Sequence, residues 1–117
     1  MPSAQVTSYL RSHRLRSGMS QRELAELVGI IEHHQVSTHE RATAVPTLLV
    51  ALSYQAVFCV PVSELFPDLY ETILTGVEDR LTRTKQALHD GSAKGHKAQV
   101  IARRLIWMDE RAKIRQS

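Results

Sequence analysis

Apolar residues in the first part of the chain recur every three or four positions, in short runs that end at glycine or proline. This spacing is typical of short amphipathic helices. It predicts a first helix over residues 6–17, ending before Gly18, and a second helix that begins at Ser20 and ends at Gly29. Glu23 follows Ser20 by three residues, the spacing of a capping box, in which each side chain accepts a hydrogen bond from the backbone of the other residue.

Three further short helices follow. Residues 32–41 hold a single clear apolar anchor, Val36, among polar side chains, so this third helix is expected to be mostly exposed. A fourth helix begins near Pro46 and is apolar almost all round, which predicts that it lies in the centre of the core. A short fifth helix ends at Pro67. These five helices predict one compact domain, residues 1–66.

Beyond Pro67 the pattern changes to two longer helical segments, separated by the Gly-rich residues 90–95. Each segment carries apolar residues at alternating spacings of three and four, which is a heptad seam. The two seams can pair with each other as an antiparallel hairpin or with the same helices of a second chain, and the sequence leaves both open. Residues 67–117 are therefore predicted to form a helical extension that mediates dimerisation. The seam residues are Tyr70, Leu74, Val77, Leu81, Leu88, Ile101, Leu105 and Met108.

Composition narrows the class of protein. The chain has 117 residues, 43% of them hydrophobic, and a single cysteine. One cysteine excludes an internal disulfide and a thiolate metal site, and we expect Cys59 to be buried. No apolar run reaches the roughly 20 residues of a membrane span, and the first residues lack the pattern of a signal peptide. We therefore expect a cytoplasmic protein that does not associate with membranes.

The charged residues are distributed unevenly. The formal net charge is +3, yet residues 1–66 carry five basic and five acidic residues. Residues 94–117 carry seven basic and two acidic residues, whereas residues 67–93 carry three basic and five acidic ones. Either the basic stretch approaches flanking DNA, or it balances the acidic stretch across a helical hairpin or a dimer. We favour the second arrangement.

The sequence offers no motif of an enzyme. It lacks a Gly-rich phosphate loop, a nucleophile elbow and a His-Glu-x-x-His motif, so we expect neither catalysis nor a cofactor. His33, His34 and His39 are close in sequence, but successive helical residues diverge by about 100° and these three do not share a face. No metal site is predicted.

Residues 20–41 combine a capped helix, a turn glycine and a polar helix, which is a helix-turn-helix arrangement. Here the chain resembles the Xre and phage-repressor (Cro-type) family of transcriptional regulators. The resemblance covers residues 9–66 and rests on the S-Q-x-E-L-A-x-x-x-G helix, the Val36 anchor, Glu40-Arg41 and the closing V-P-V-S-E-L-F. Val36 lies seven residues beyond Gly29, one more than is usual in the family, and no glycine follows Arg41.

The resemblance implies an all-α, five-helix DNA-binding domain whose third helix enters the major groove of double-stranded DNA. It also implies an ion pair between Arg14 and Glu40, and His39 is expected to pack against the first helix. The polar side chains of the third helix have suitable donors and acceptors, and the free N–H groups at the start of the second helix suit a phosphate. The predicted base contacts are His33, His34, Gln35, Ser37 and Thr38, and the predicted phosphate contacts are Gln21, Arg11, Arg22 and Arg41.

These features favour a sequence-specific transcriptional regulator, a repressor, that binds DNA as a homodimer. An alternative is a protein-interaction module, such as an antitoxin-like or mobile-element accessory protein, that binds a protein partner through residues 67–117 and for which DNA binding is secondary. A third possibility is a small helical bundle in which the same residues serve only as caps and core. Binding to duplex DNA that weakens steeply as salt rises would distinguish the first two.

Overall fold

The computed structural model of the protein describes residues 8–91 and 96–116. Within these residues the chain forms seven α-helices and no strand, so the all-α prediction is confirmed. Val6 and most of the Gly-rich stretch lie outside the described residues. None of the described helices combines the length and apolar character needed to cross a membrane. The helices are α1 (Leu10–Ser17), α2 (Gln21–Val28), α3 (His34–Glu40), α4 (Leu48–Phe58), α5 (Val62–Leu65), α6 (Pro67–Asp90) and α7 (His96–Gln116).

Two compact units make up the chain, and the division between them falls between Ile73 and Leu74, inside α6. The sequence placed this boundary after residue 66. The first unit extends further because Leu69, on the first turn of α6, packs against the core formed by the preceding helices. Pro67 therefore begins a helix without ending the domain.

The ends of α2 are set by the predicted signals. Ser20 Oγ accepts from the backbone N–H of Glu23 at 3.0 Å, and Glu23 Oε1 accepts from the backbone N–H of Ser20 at 2.8 Å. The capping box is therefore complete, and these hydrogen bonds lower the pKa of Glu23. Gly29 ends the helix with φ 78°, a left-handed conformation that side chains with a Cβ rarely adopt.

The core of the first unit is one apolar cluster. A fully buried Leu, Val, Ile or Phe side chain stabilises the folded state by roughly 1.5–3 kcal/mol relative to an exposed one. Tyr54 on α4 is the largest side chain in the cluster that solvent does not reach. The cluster consists of Leu10, Leu24, Ala25, Val28, Ile30, Val36, Tyr54, Leu65 and Phe66.

The position predicted for α4 is wrong in part. Only Ala51 and Tyr54 of this helix are buried, whereas Leu48 is 73% and Leu49 78% exposed. A helix buries only the face that other elements cover, and α4 is covered on one side, so its apolar residues on the remaining faces contact solvent. Cys59 is also exposed, contrary to the prediction. It occupies the C-cap of α4 in a left-handed conformation, where the chain leaves the helix.

In the second unit, α6 and α7 of one chain are joined by ion pairs between their side chains. Lys85 Nζ lies 3.0 Å from Asp109 Oδ1, and Glu78 pairs with Arg111 at 2.8 Å and with Arg115 at 3.3 Å. Because earlier residues of α6 pair with later residues of α7, the helices run antiparallel, as in the hairpin arrangement. In two of these pairs the acid lies on α6 and the base on α7, the charge balance that we favoured.

The predicted seam residues of α6 and α7 are shielded from solvent only in part, and none of those described is fully buried. Leu74, Val77, Leu81 and Leu88 of α6 are half-buried, as are Ile101, Leu105 and Met108 of α7. Tyr70, which the heptad spacing assigned to the seam, belongs to the first unit instead, where it lines a groove beside Leu48 and Leu52. The heptad spacing includes Tyr70 because α6 is one continuous helix. The first unit ends at Ile73, however, so Tyr70 belongs to a different unit from the other seam residues.

Candidate nucleic-acid interface

Helix α3 has one buried face and one outer face. Val36, His39 and Glu40 are buried, and Val36 has no exposed surface. The outer face consists of His34, Gln35, Ser37, Thr38 and Arg41, which are exposed or half-buried. The sequence predicted the apolar anchor correctly, but the buried face is mainly polar.

The turn before α3 buries one of its two isoleucines and exposes the other. The backbone N–H of Ile30 donates to the carbonyl of Ala25 at 2.9 Å, and the side chain of Ile30 is buried against the core. Ile31 is 98% exposed. The chain can therefore reach Val36 over seven residues from Gly29 without displacing the anchor.

Arg14 and Glu40 form the ion pair that the resemblance implied. Arg14 donates from Nε and from Nη2 to the two carboxylate oxygens of Glu40, the latter at 3.2 Å, and the side chains are 9% and 2% exposed. A third donor of Arg14, Nη1, reaches the carbonyl of Met19 at 3.0 Å. Gln21 Nε2 donates to Glu40 Oε1 at 3.1 Å. This buried network connects α1, the turn after it and the start of α2 to the C-terminal end of α3.

His39 lies on the other side of the buried face. It is buried as expected, but its hydrogen bond goes to Tyr54 of α4 and not to α1: Nδ1 and the Tyr54 hydroxyl are 2.8 Å apart, and the rings pack edge to face. Burial lowers the pKa of His39. Burial, and secondarily the negative charge of Glu40, raises the pKa of Tyr54. Both groups are therefore neutral near neutral pH.

Some of the side chains predicted to contact bases already have a partner within the protein, and others do not. Thr38 Oγ1 donates to the carbonyl of Gln35 at 2.7 Å, so its proton is already engaged. His34 Nδ1 lies 3.4 Å from a carboxylate oxygen of Glu32. The side chains of Gln35, Ser37 and His33 make no hydrogen bond within the described part of the chain. His33 is the N-cap residue of α3, but its side chain makes no capping hydrogen bond.

The side chains predicted to contact phosphates also differ in whether they already have a partner within the protein. Arg11, Arg22 and Arg41 are exposed, and none of them pairs with a carboxylate in the described residues. Arg41 Nε has a long contact of 3.3 Å with the carbonyl of Ser37. Gln21 is half-buried, and one of its two side-chain N–H groups is engaged by Glu40, which leaves the other for a ligand.

Three contacts of this site were not predicted from the sequence. The Gln21–Glu40 and His39–Tyr54 contacts join residues on different helices, and the Arg14–Met19 bond joins α1 to a backbone carbonyl in the turn after it, so the spacing of apolar and polar residues does not indicate them. Glu32 was also overlooked, although its position two residues before His34 was a visible signal. Within the described residues, no three His, Cys, Asp or Glu side chains are grouped closely enough to hold a metal ion.

No family model, curated protein or solved structure matches the chain. The Xre and phage-repressor likeness thus rests on the residues quoted above. Function is inferred from these residues and their geometry.

Proposed function

We propose that this protein is a sequence-specific DNA-binding transcriptional regulator of the Xre and phage-repressor type. In this proposal α2 and α3 form a helix-turn-helix, and the outer face of α3 lies in the major groove. One observation carries the proposal: a short polar helix is fixed by a buried ion-pair network while the polar side chains of its outer face remain exposed or half-buried.

The buried network carries a desolvation cost, and a role in positioning α3 for base recognition would explain why the protein bears it. Burying Arg14 and Glu40 removes both charges from water, and such a pair is no more stabilising than apolar residues of similar volume. The pair does fix α3 to α1 and α2 with directional bonds, at four donor–acceptor contacts that include Gln21 and Met19. Base recognition needs side chains held at defined positions in the groove, which such a framework supplies.

The outer face supplies the chemistry for base contacts. Gln35 presents a donor and an acceptor on one amide, the pattern that adenine offers in the major groove. The Thr38 hydroxyl donates its hydrogen bond to the backbone carbonyl of Gln35, so it offers DNA an acceptor oxygen and a methyl group, and the methyl group suits that of thymine. His33, His34 and Ser37 add further donors and acceptors.

Phosphate contacts would fix the orientation of the protein on the duplex. The start of α2 presents free backbone N–H groups beside the second N–H of Gln21. Arg11, Arg22 and Arg41 supply exposed cations. Because phosphate binding releases counterions, the affinity would fall steeply with rising salt.

Dimerisation remains part of the proposal, since two half-sites double the information that one short helix can read. Trp107 is 54% and Ile114 75% exposed on α7, away from the seam residues of that helix, and Ile106 is 59% exposed. These apolar side chains suit an interface with a second copy. Repression follows if the bound dimer occupies a promoter.

Random-site selection on the full-length protein tests the proposal directly. We expect one enriched motif, of palindromic form if the protein is a dimer. Gln35→Ala and Thr38→Ala are expected to change the preferred bases, whereas Gln21→Ala weakens binding to all sequences alike. Gln86→Ala and Thr84→Ala, at exposed positions of α6, are matched controls that leave the motif unchanged.

A second candidate is the protein-interaction module. A largely apolar groove of about 340 Å³ on the first unit favours it, because Leu48, Leu52, Tyr70 and Ile73 line this groove and are exposed. Absence of binding to mixed duplex DNA at about 50 mM salt would reject DNA binding as the main function and favour this candidate.

A further inference from the structure

Glu32 is the one exposed acidic side chain between Gly29 and Arg41, since Glu40 is buried. Its carboxylate is 64% exposed, and one of its oxygens lies 3.4 Å from Nδ1 of His34. Together with Gln35 it also lines a shallow groove of about 420 Å³ beside Val50 of α4. Glu32 therefore lies beside His34 and lines the same groove as Gln35, two of the side chains that would contact bases.

A carboxylate at this place opposes DNA binding unless the DNA supplies a hydrogen-bond donor. Its charge repels phosphates and lowers the affinity for every sequence alike. Thymine and guanine present acceptor atoms and no hydrogen-bond donor on the major-groove edge, and these acceptors also repel a carboxylate. In an A·T pair the amino group of adenine lies between two acceptors, N7 of adenine and O4 of thymine, whereas in a C·G pair the N4 amino group of cytosine has an acceptor, O6 of guanine, on one side only. Cytosine is therefore the base that best compensates the charge of Glu32.

We propose that Glu32 is a specificity-determining residue that accepts a hydrogen bond from the N4 amino group of a cytosine. The binding site would then require a C·G base pair at one position. This inference rests on the proposed DNA-binding function. It adds to the base-contacting side chains proposed above a group that can only accept hydrogen bonds, whereas Gln35 can both donate and accept.

The test compares the full-length protein with Glu32→Ala in random-site selection, followed by titration of two duplexes that differ only by C·G or T·A at the selected position. We expect the wild-type protein to bind the C·G duplex about tenfold more tightly. Glu32→Ala is expected to bind the two duplexes equally, and to bind the T·A duplex more tightly than the wild-type protein does, because the repulsion is gone. Glu32→Gln keeps an acceptor oxygen, so we expect it to retain part of the preference.

Glu26→Ala is the matched control, because Glu26 is an exposed acid of α2 and its loss changes the net charge equally. Circular dichroism establishes that each variant is folded. If the wild-type protein enriches no motif, the proposed function itself fails. If it enriches a motif that Glu32→Ala leaves unchanged, or that Glu26→Ala alters in the same way, the role of Glu32 is refuted while the proposed function stands.

Discussion

The two units of this protein use charged side chains in opposite ways. In the first unit, Arg14 and Glu40 are buried together beneath α3, beside a closed apolar cluster. In the second unit, Glu78 and Lys85 form ion pairs with α7 at positions that remain partly open to water, and no described side chain there is buried. The first unit therefore contains an ion pair that is shielded from water, whereas the three described ion pairs of the second unit are exposed to water and salt.

This difference indicates how much stability each unit loses when one partner of an ion pair is substituted. A buried charge without its partner has no alternative partner, so losing one side of the pair costs far more than the pair itself contributes. An exposed charge without its partner is solvated, and its loss costs little.

The largest effect is expected for Glu40→Ala. This change leaves the guanidinium of Arg14 buried without its carboxylate, and we expect the free energy of unfolding to fall by about 3–5 kcal/mol. Urea unfolding measures it. The double variant Arg14→Met with Glu40→Leu, which removes both charges, is expected to be more stable than Glu40→Ala. Glu26→Ala, at an exposed site, should change stability by no more than about 0.5 kcal/mol. A loss below about 1 kcal/mol for Glu40→Ala would show that the pair is solvated after all.

A smaller effect is expected at the His39–Tyr54 contact. Tyr54→Phe removes the hydroxyl and leaves Nδ1 of His39 without its partner, at a cost of about 1–3 kcal/mol. Unfolding measured by urea at pH 7 gives this value. Tyr70→Phe is the control, since Tyr70 is 40% exposed and outside this contact.

The same contact predicts how stability depends on pH. The folded state keeps His39 neutral because burial lowers its pKa, so stability falls as the pH drops below about 6.5, where the unfolded chain binds the proton. Burial raises the pKa of Tyr54, so stability also falls as the pH rises above about 10, where the unfolded chain loses that proton. His39→Gln is expected to flatten the acid limb and Tyr54→Phe the alkaline limb of the unfolding free energy against pH. Unchanged limbs in both variants would contradict the burial of these groups.

A weaker effect is expected for Glu78→Gln. It removes the carboxylate that pairs with Arg111 and Arg115, but all three side chains remain in contact with water. The hydrogen bond from Arg111 lowers the pKa of Glu78, so the pair stabilises the fold above the ordinary pKa of a glutamate and is lost as the pH falls through the lowered value. We expect a change in thermal midpoint well below that of Glu40→Ala, and one that shrinks between 0.05 and 1 M salt. A salt-independent effect would place these charges out of reach of solvent.

The smallest effect on the first unit is expected from ending the chain after Ile73. Its buried apolar cluster lies entirely between Leu10 and Phe66, and Leu69 is retained. We expect residues 1–73 to unfold cooperatively, with dispersed amide resonances, while light scattering reports loss of any dimer. A chain that ends after Phe66 lacks Leu69 and is expected to be less stable. Failure of the longer fragment to fold would show that the first unit depends on the second.

Sequence patterns predicted the elements better than the burial of their residues. The capping box at Ser20, the glycine at position 29 and the anchor Val36 act through neighbours in the chain, so their spacing was sufficient. The exposure of Leu48 and Cys59 was not predictable, because it depends on which elements cover α4. The Arg14–Glu40 pair was implied by resemblance to a family, and periodicity alone would not have indicated it.

The two faces of α3 have a consequence for how such a protein changes over evolutionary time. The groups of α3 that hold the helix in place point inward, whereas the side chains of α3 proposed to contact bases are exposed or half-buried on its outer face. Substitutions on the outer face are therefore expected to be nearly neutral for stability. New preferences for DNA can then arise by single steps, each of which leaves a folded protein, while the inner face remains fixed.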